Sequence, residues 1–194
     1  AWHLIAGIPD RGYLRLVRSL EADPKKPRLG DGRTPLHLAA ASGNTDAVRL
    51  LLALGADPMA KDSDGAYPID FSFAGGHQDC SDILLERRAL TDYTDEESRT
   101  LLHHAIRRGN GALASYLIGR DFRVGTPDRM GETPLMVAVF AGDVELASTL
   151  IDHGGDVKAR RHDGKTALDI AEALKSTAAM RKMLSDAMGE AGND

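Results

Sequence analysis

Cysteine is almost missing from this chain: Cys80 is the only one in 194 residues. A single thiol excludes an intramolecular disulfide and any zinc site built from several cysteines. It leaves the compartment open, with the cytoplasm favoured over a periplasmic or secreted location. Aromatic residues are scarce as well, at 5% with one tryptophan, so the core has to rest on Leu, Ile, Val, Met and Ala. Those residues lean toward helix. No apolar run approaches the roughly eighteen residues that a membrane span needs. The opening AWHLIAG has no basic segment ahead of an apolar one, so no signal peptide is visible. Because the first residue is Ala, a trimmed or processed start is expected, compatible with a removed leader.

Positive charge is also in short supply. Lys and Arg number 24 against 29 Asp and Glu, a net charge of −5. Affinity for nucleic acid comes largely from neutralising phosphates, so this balance disfavours such a partner. What the chain does have is 42% apolar and 27% charged residues, the mix of a soluble globular protein. Its length suffices for one substantial domain or two small ones.

The stretch GRTPLHLAAASGN, 32–44, carries a histidine beside a threonine and invites a catalytic reading, but it recurs. Steps of thirty-three from Thr34 land on Tyr67, Thr100, Thr133 and Thr166, where DGRTPLH becomes DGAYPID, ESRTLLH, MGETPLM and DGKTALD. Two residues on stand Leu36, Ile69, Leu102, Leu135 and Leu168, and five on the small Ala39, Ser72, Ala105, Ala138 and Ala171. Nine on stand Gly43, Gly76, Gly109 and Gly142, with Lys175 breaking the series. Further along come Leu51, Leu84, Leu117, Leu150 and Met183, each followed by an aliphatic residue and preceded one turn earlier by Val48, Ser81, Ala114, Ala147 and Met180. That spacing is one face of a helix, so each repeat holds two helices, from the Thr to the Gly and over the next dozen residues. The Thr hydroxyl can accept from the open amides of a first turn, and Pro there has no N–H to leave unpaired. Gly ends the first helix in a left-handed conformation. One unit alone would expose an apolar face, so only stacking stabilises it.

A period of thirty-three with T-P-L-H-x-A is the pattern of ankyrin repeats, and the chain resembles that family. Thr34 to Ala39 reads TPLHLA, and GNTDAVRLLLALGADP is similar to the family's second helix and following turn. The resemblance covers roughly residues 29 to 185. It implies an all-α solenoid of stacked helix-turn-helix units with hairpin-like connecting loops. The expected layout is a single domain over 1–194: an N-terminal helical cap over 1–28 with Leu14, Val17 and Leu20 at helical spacing, repeats at 29–61, 62–94, 95–127 and 128–160, a C-terminal capping repeat at 161–188 and a tail at 189–194. The second repeat departs from the pattern at Tyr67, at Phe73 and in LERRALTDYTDEES, and the third has RDFRVGTP in place of Gly-Ala-Asp, so those turns are expected to be reshaped.

No constellation supports catalysis, and neither a cofactor nor a metal is expected. His37 and His103 share one register slot, where the other repeats carry Asp70, Met136 and Asp169. Stacking would set those slots about ten ångströms apart, too far for one metal, so a structural hydrogen-bonding role is expected. His103 and His104 are adjacent on a helix and diverge. Cys80 reads as a small buried or half-buried thiol with no activating His in register. GGHQD at 75–79 is an interhelix turn without the Lys-Ser/Thr of a phosphate loop. Asp92, Asp95, Glu96 and Glu97 match neither calcium spacing nor a defined carboxylate pair.

The family resemblance implies a binding face made of the hairpin tips and the outward side of the first helices, and hence another protein as partner. The tip residues are Asp31 and Arg33; Asp64 and Ala66; Glu96, Glu97 and Arg99; Arg129, Met130 and Glu132; and His162, Asp163 and Lys165. Before the interhelix Gly stand Ala41-Ser42, Ala74-Gly75, Arg107-Arg108 and Phe140-Ala141. Arg and aromatic side chains commonly anchor interfaces. Phe140, Arg107 and Arg108 are therefore expected to face a partner, the alternative being that Phe140 folds back over a helix end while the arginines are merely solvated. Mixed charge, with Arg87 and Arg88 added to the basic side and Tyr93 a further exposed aromatic, suits a protein better than a uniform polyanion. Non-catalytic binding, with inhibition or protection of a partner enzyme as its form and a monomer as the unbound state, is the leading expectation. An enzyme or small-molecule sensor with a pocket near the irregular second and third repeats, and a self-associating structural module, are the competing ones.

Overall fold

A computed structural model of the chain describes residues 30–86, 94–120 and 122–190. The expected N-terminal cap over 1–28, Arg87, Arg88, Asp92, Tyr93 and the last four residues of the tail lie outside the described residues. The described residues form two compact units that divide between Thr91 and Asp92. All their helices come in pairs at the register of thirty-three residues.

The first unit contains α1 (Pro35–Ala41), α2 (Thr45–Ala53), α3 (Pro68–Ala74) and α4 (Gln78–Leu85). In the second are α5 (Leu101–Arg107), α6 (Gly111–Ile118), α7 (Pro134–Ala141), α8 (Val144–Asp152), α9 (Ala167–Ala173) and α10 (Ala178–Glu190). Within each unit the first helices of successive repeats pack on one another, α1 on α3 and α5 on α7 on α9, while the second helices form a parallel row behind them. An isolated β-bridge joins Thr94 to Thr100. Helix α10 runs through Glu190, two residues past the expected end of the capping repeat.

Each first helix starts the way its sequence dictates. Thr34, Tyr67, Thr100, Thr133 and Thr166 have extended backbones at the N-cap, and Pro opens α1, α3 and α7. Second helices are capped by Asn44, Asn110 and Asp143, whose side-chain oxygens accept the N–H of Ala47, Leu113 and Leu146 at 3.0–3.1 Å. Between the two helices the backbone must turn left-handed. Gly43, Gly76, Gly109 and Gly142 do so with φ of 68–74°, and Lys175 is forced into the same region at 52°.

Leu36, Ile69, Leu102 and Leu135 are buried between neighbouring helices, as are the small residues at Ala39, Ser72, Ala105, Ala138 and Ala171. In the second repeat the small slot is polar. The Ser72 hydroxyl donates to the Ile69 carbonyl at 2.9 Å and lies 2.7 Å from the Ser81 hydroxyl across the helix pair. The third and fourth repeats place Ala105 with Ala114 and Ala138 with Ala147 at these positions. In the last repeat Leu184, rather than Met183, takes the fully buried place beside Met180.

The two histidines act as clips between repeats. Thr34 N–H donates to His37 Nδ1 at 3.0 Å, and His37 Nε2 lies 3.1 Å from the Ala66 carbonyl of the next repeat. His103 repeats the pattern with Thr100 N–H at 3.1 Å and the Glu132 carbonyl at 3.1 Å. A backbone N–H can only donate, so Nδ1 is the bare nitrogen and Nε2 carries the proton. The expected structural role holds. Asp70 and Asp169 accept the N-cap N–H at 2.9 and 2.8 Å, but a carboxylate has no proton to send onward. Ala66, read from sequence as a surface tip residue, is instead buried, and its carbonyl takes this bond.

Burial pushes the pKa of both clip histidines below the usual 6.5, against the opposing pull of the carbonyls and nearby carboxylates. The unfolded chain then takes up protons first, so stability is complete above about pH 6.5 and falls as the pH drops below it. Urea midpoints should decline between pH 7.5 and 5.5. A His37→Asn, His103→Asn variant keeps an acceptor for the N-cap N–H and loses the onward bonds. Its unfolding free energy at pH 7.5 should be lower by about 0.5–1.5 kcal/mol per site, and its acid decline should be shallower. Lys175→Gly should do the opposite for a different reason: relieving the left-handed strain stabilises the last repeat by about 0.5–1 kcal/mol, read as a higher melting temperature.

Candidate partner-binding surface

Three hairpin tips are held by carboxylates five residues before the N-cap. Asp62 Oδ1 accepts the N–H of Asp64 and Ala66 at 3.0 and 2.8 Å, Asp95 Oδ1 those of Glu97 and Arg99 at 3.1 and 2.8 Å, and Asp128 Oδ1 those of Met130 and Glu132 at 2.8 and 2.9 Å. Backbone bonds join neighbouring tips, from Ser63 N–H to the Asp31 carbonyl at 3.0 Å, Arg129 to Glu97 at 2.7 Å and His162 to Met130 at 3.0 Å. These aspartates recur at the same period of thirty-three, a signal present in the sequence beside the tip residues. Ser98 takes a left-handed φ of 61° where the other tips use Gly.

On that frame the expected site residues separate into three groups and a remainder. In the first unit Arg33 lies with its guanidinium 4.4 Å from the centre of the Phe71 ring and 3.6 Å from Asp62. Asp31 turns its carboxylate onto the Arg33 N–H at 3.1 Å. In the second unit Arg99 donates from Nε to Asp95 Oδ2 at 2.9 Å and from Nη2 to Glu97 at 2.6 Å, while His104 Nε2 sits 3.0 Å from Asp95 Oδ2. Burial alone would raise the Asp95 pKa. The side-chain and backbone hydrogen bonds from Arg99, with the charges of Arg99 and His104, outweigh it and bring the value down to about 2.

The third group is a hollow of about 380 Å³ lined by Arg107, Glu132, Val137, Phe140 and Ala141. Arg107 Nη2 donates to Glu132 Oε2 at 2.6 Å, and Arg161 Nη1 donates to Glu132 Oε1 at 2.8 Å. Arg161 also reaches Asp163 at 3.1 Å, and its guanidinium stands 5.8 Å from the Phe140 ring centre. Phe140 remains 44% exposed, so it does not fold away to cover a helix end. Arg161 was not among the expected residues. It occupies the register place that holds Asp62, Asp95 and Asp128 in other repeats, and this reversal of charge was the available signal.

The remaining residues lie at the exposed surface. Asp64, Glu96, Arg108, Arg129 and His162 are exposed, as is Met130 at 56%, and Lys165 lies 3.5 Å from Asp163. Among the described residues no group of three His, Cys, Asp or Glu is placed to hold a metal ion. Cys80 is buried, and burial pushes its thiol pKa up, away from nucleophilic behaviour. No described helix is long and apolar enough to cross a membrane.

Comparison with known families matches the same register. Residues 31–63 match the ankyrin repeat, 73–118 match ankyrin repeats in many copies and 102–191 match ankyrin repeats in three copies. No curated protein matches the chain at a significant level. With five repeats in one unbroken register, left-handed turns between their helices and three family matches spread over residues 31–191, the chain belongs to the ankyrin repeat family.

Proposed function

We propose that this chain is a non-catalytic protein-binding module and that its docking site is the Phe140 hollow with the tips beside it. Ankyrin repeats are generally protein–protein interaction modules, and the finer assignment rests on one observation. Phe140 keeps nearly half of its surface in water although the scaffold gains nothing from an aromatic there: the same register place holds Ala41, Ala74 and Ala173 in other repeats. A half-exposed aromatic ringed by arginines has the composition of an interface anchor. The ion pairs of Arg107 and Arg161 to Glu132 hold the surround in place before a partner arrives, which lowers the ordering cost of binding.

In this reading the unbound chain is a monomer, and it acts by occupying a partner's surface, inhibiting or protecting an enzyme that it docks on. Affinity capture with the whole chain, set beside a Phe140→Ala, Arg107→Glu variant of unchanged circular dichroism, tests it. The captured protein should bind the variant at least tenfold more weakly, the loss typical of a truncated hot spot. Equal binding by a folded variant would place the docking site elsewhere.

A further inference from the structure

The charges around the hollow say what kind of segment it selects. Among the described residues Glu132 is the one acidic side chain lining it. Both of its oxygens already accept guanidinium N–H groups, and its side chain is only 12% exposed. It has little left to offer a cationic ligand, which would also meet two guanidiniums. Arg107 is different: its side chain is 41% exposed and uses one terminal nitrogen on Glu132, so other donors of the same fork face solvent. Arg161 adds a second guanidinium, offset by Asp163.

The floor is apolar. Phe140, Val137 and Ala141 present a ring face and two small aliphatic groups beside that basic edge. The volume, about 380 Å³, suits one or two side chains of a segment lying across it and is near the lower end for a small-molecule site. In the first unit the matching places are Ala41-Ser42 and Ala74-Gly75, with neither an anchor nor a basic edge.

We infer that the hollow recognises a segment of a partner protein in which an aromatic or large aliphatic side chain lies against Phe140 and a neighbouring Asp or Glu pairs with Arg107 at the rim. A carboxylate matches the guanidinium fork in shape as well as charge. This inference rests on the proposed binding function and adds the chemistry of the partner to it.

Panning a phage-displayed library of random linear dodecapeptides against the immobilised whole chain tests it. Enriched peptides should place Asp or Glu within two residues of Phe, Trp, Leu or Met. A synthetic enriched peptide should bind more weakly as salt is raised, and replacing its Glu by Gln should cost roughly tenfold or more on the native chain. On Arg107→Gln, which can still donate to Glu132, that same replacement should cost less than about twofold, since the charge it served is gone. Enriched peptides that are basic or uncharged yet lose binding to Phe140→Ala would overturn the acidic preference and leave the docking site standing. Peptides that bind Phe140→Ala and Arg107→Gln as well as the native chain, or no enrichment over an unrelated immobilised protein, would overturn both.

Discussion

The hydrogen bond from a buried imidazole to the carbonyl of the next repeat carries more of this structure than its size suggests. His103 accepts the N–H that opens α5 and donates to the Glu132 carbonyl, while Asp128 takes the Glu132 N–H. Both backbone groups of Glu132 are thus fixed by residues of the scaffold. Its carboxylate is held in turn by the two arginines that define the hollow. The bond that ties two repeats together thus anchors the backbone of the residue on which the surface between them is built. His37 does the equivalent for Ala66, but a methyl group there gathers nothing.

Much of the fold was legible because the register repeats. Positions Leu36, Ala39, Gly43 and Leu51 serve packing or turning, requirements that are the same in every unit, so the sequence states them several times over. The clip histidines could be assigned a structural role for the same reason. The site was harder to read because it is built from exceptions. Phe140 and Arg107 stood out by size and charge at places otherwise filled by alanine. Glu132 read as a tip residue facing a partner, and nothing local in the sequence says that Arg161, twenty-nine positions on, shares its carboxylate. Arg161 was visible only as a break in the column Asp62, Asp95, Asp128, and that column goes unnoticed when attention is on what varies.

The two units use one scaffold to different ends. In the first, Arg33 lies over Phe71 and near Asp62, so its charge and the ring are largely spent on each other. In the second, the aromatic has moved to the end of α7 and the arginines pair across repeats. The difference is a matter of register: Phe71 stands at the place of Val137, a turn before Phe140, and is half-buried where Phe140 is exposed. A shift of three residues along one helix separates an aromatic that serves the scaffold from one that offers itself to solvent.

The paired serines of the second repeat lead to a different conclusion about how such a chain can change. Ser72 and Ser81 share a hydrogen bond in a buried place, where the third and fourth repeats set alanine against alanine. Exchanging one serine alone leaves its neighbour with only a backbone carbonyl for a partner, whereas exchanging both reproduces a pair that already exists elsewhere in the chain. Inheritance by whole repeats preserves such pairs automatically and inheritance by single residues does not. The smallest part of this protein that can be transplanted without loss is therefore a helix pair with its own small residues, and duplication and recombination of that length are the moves its interior tolerates best.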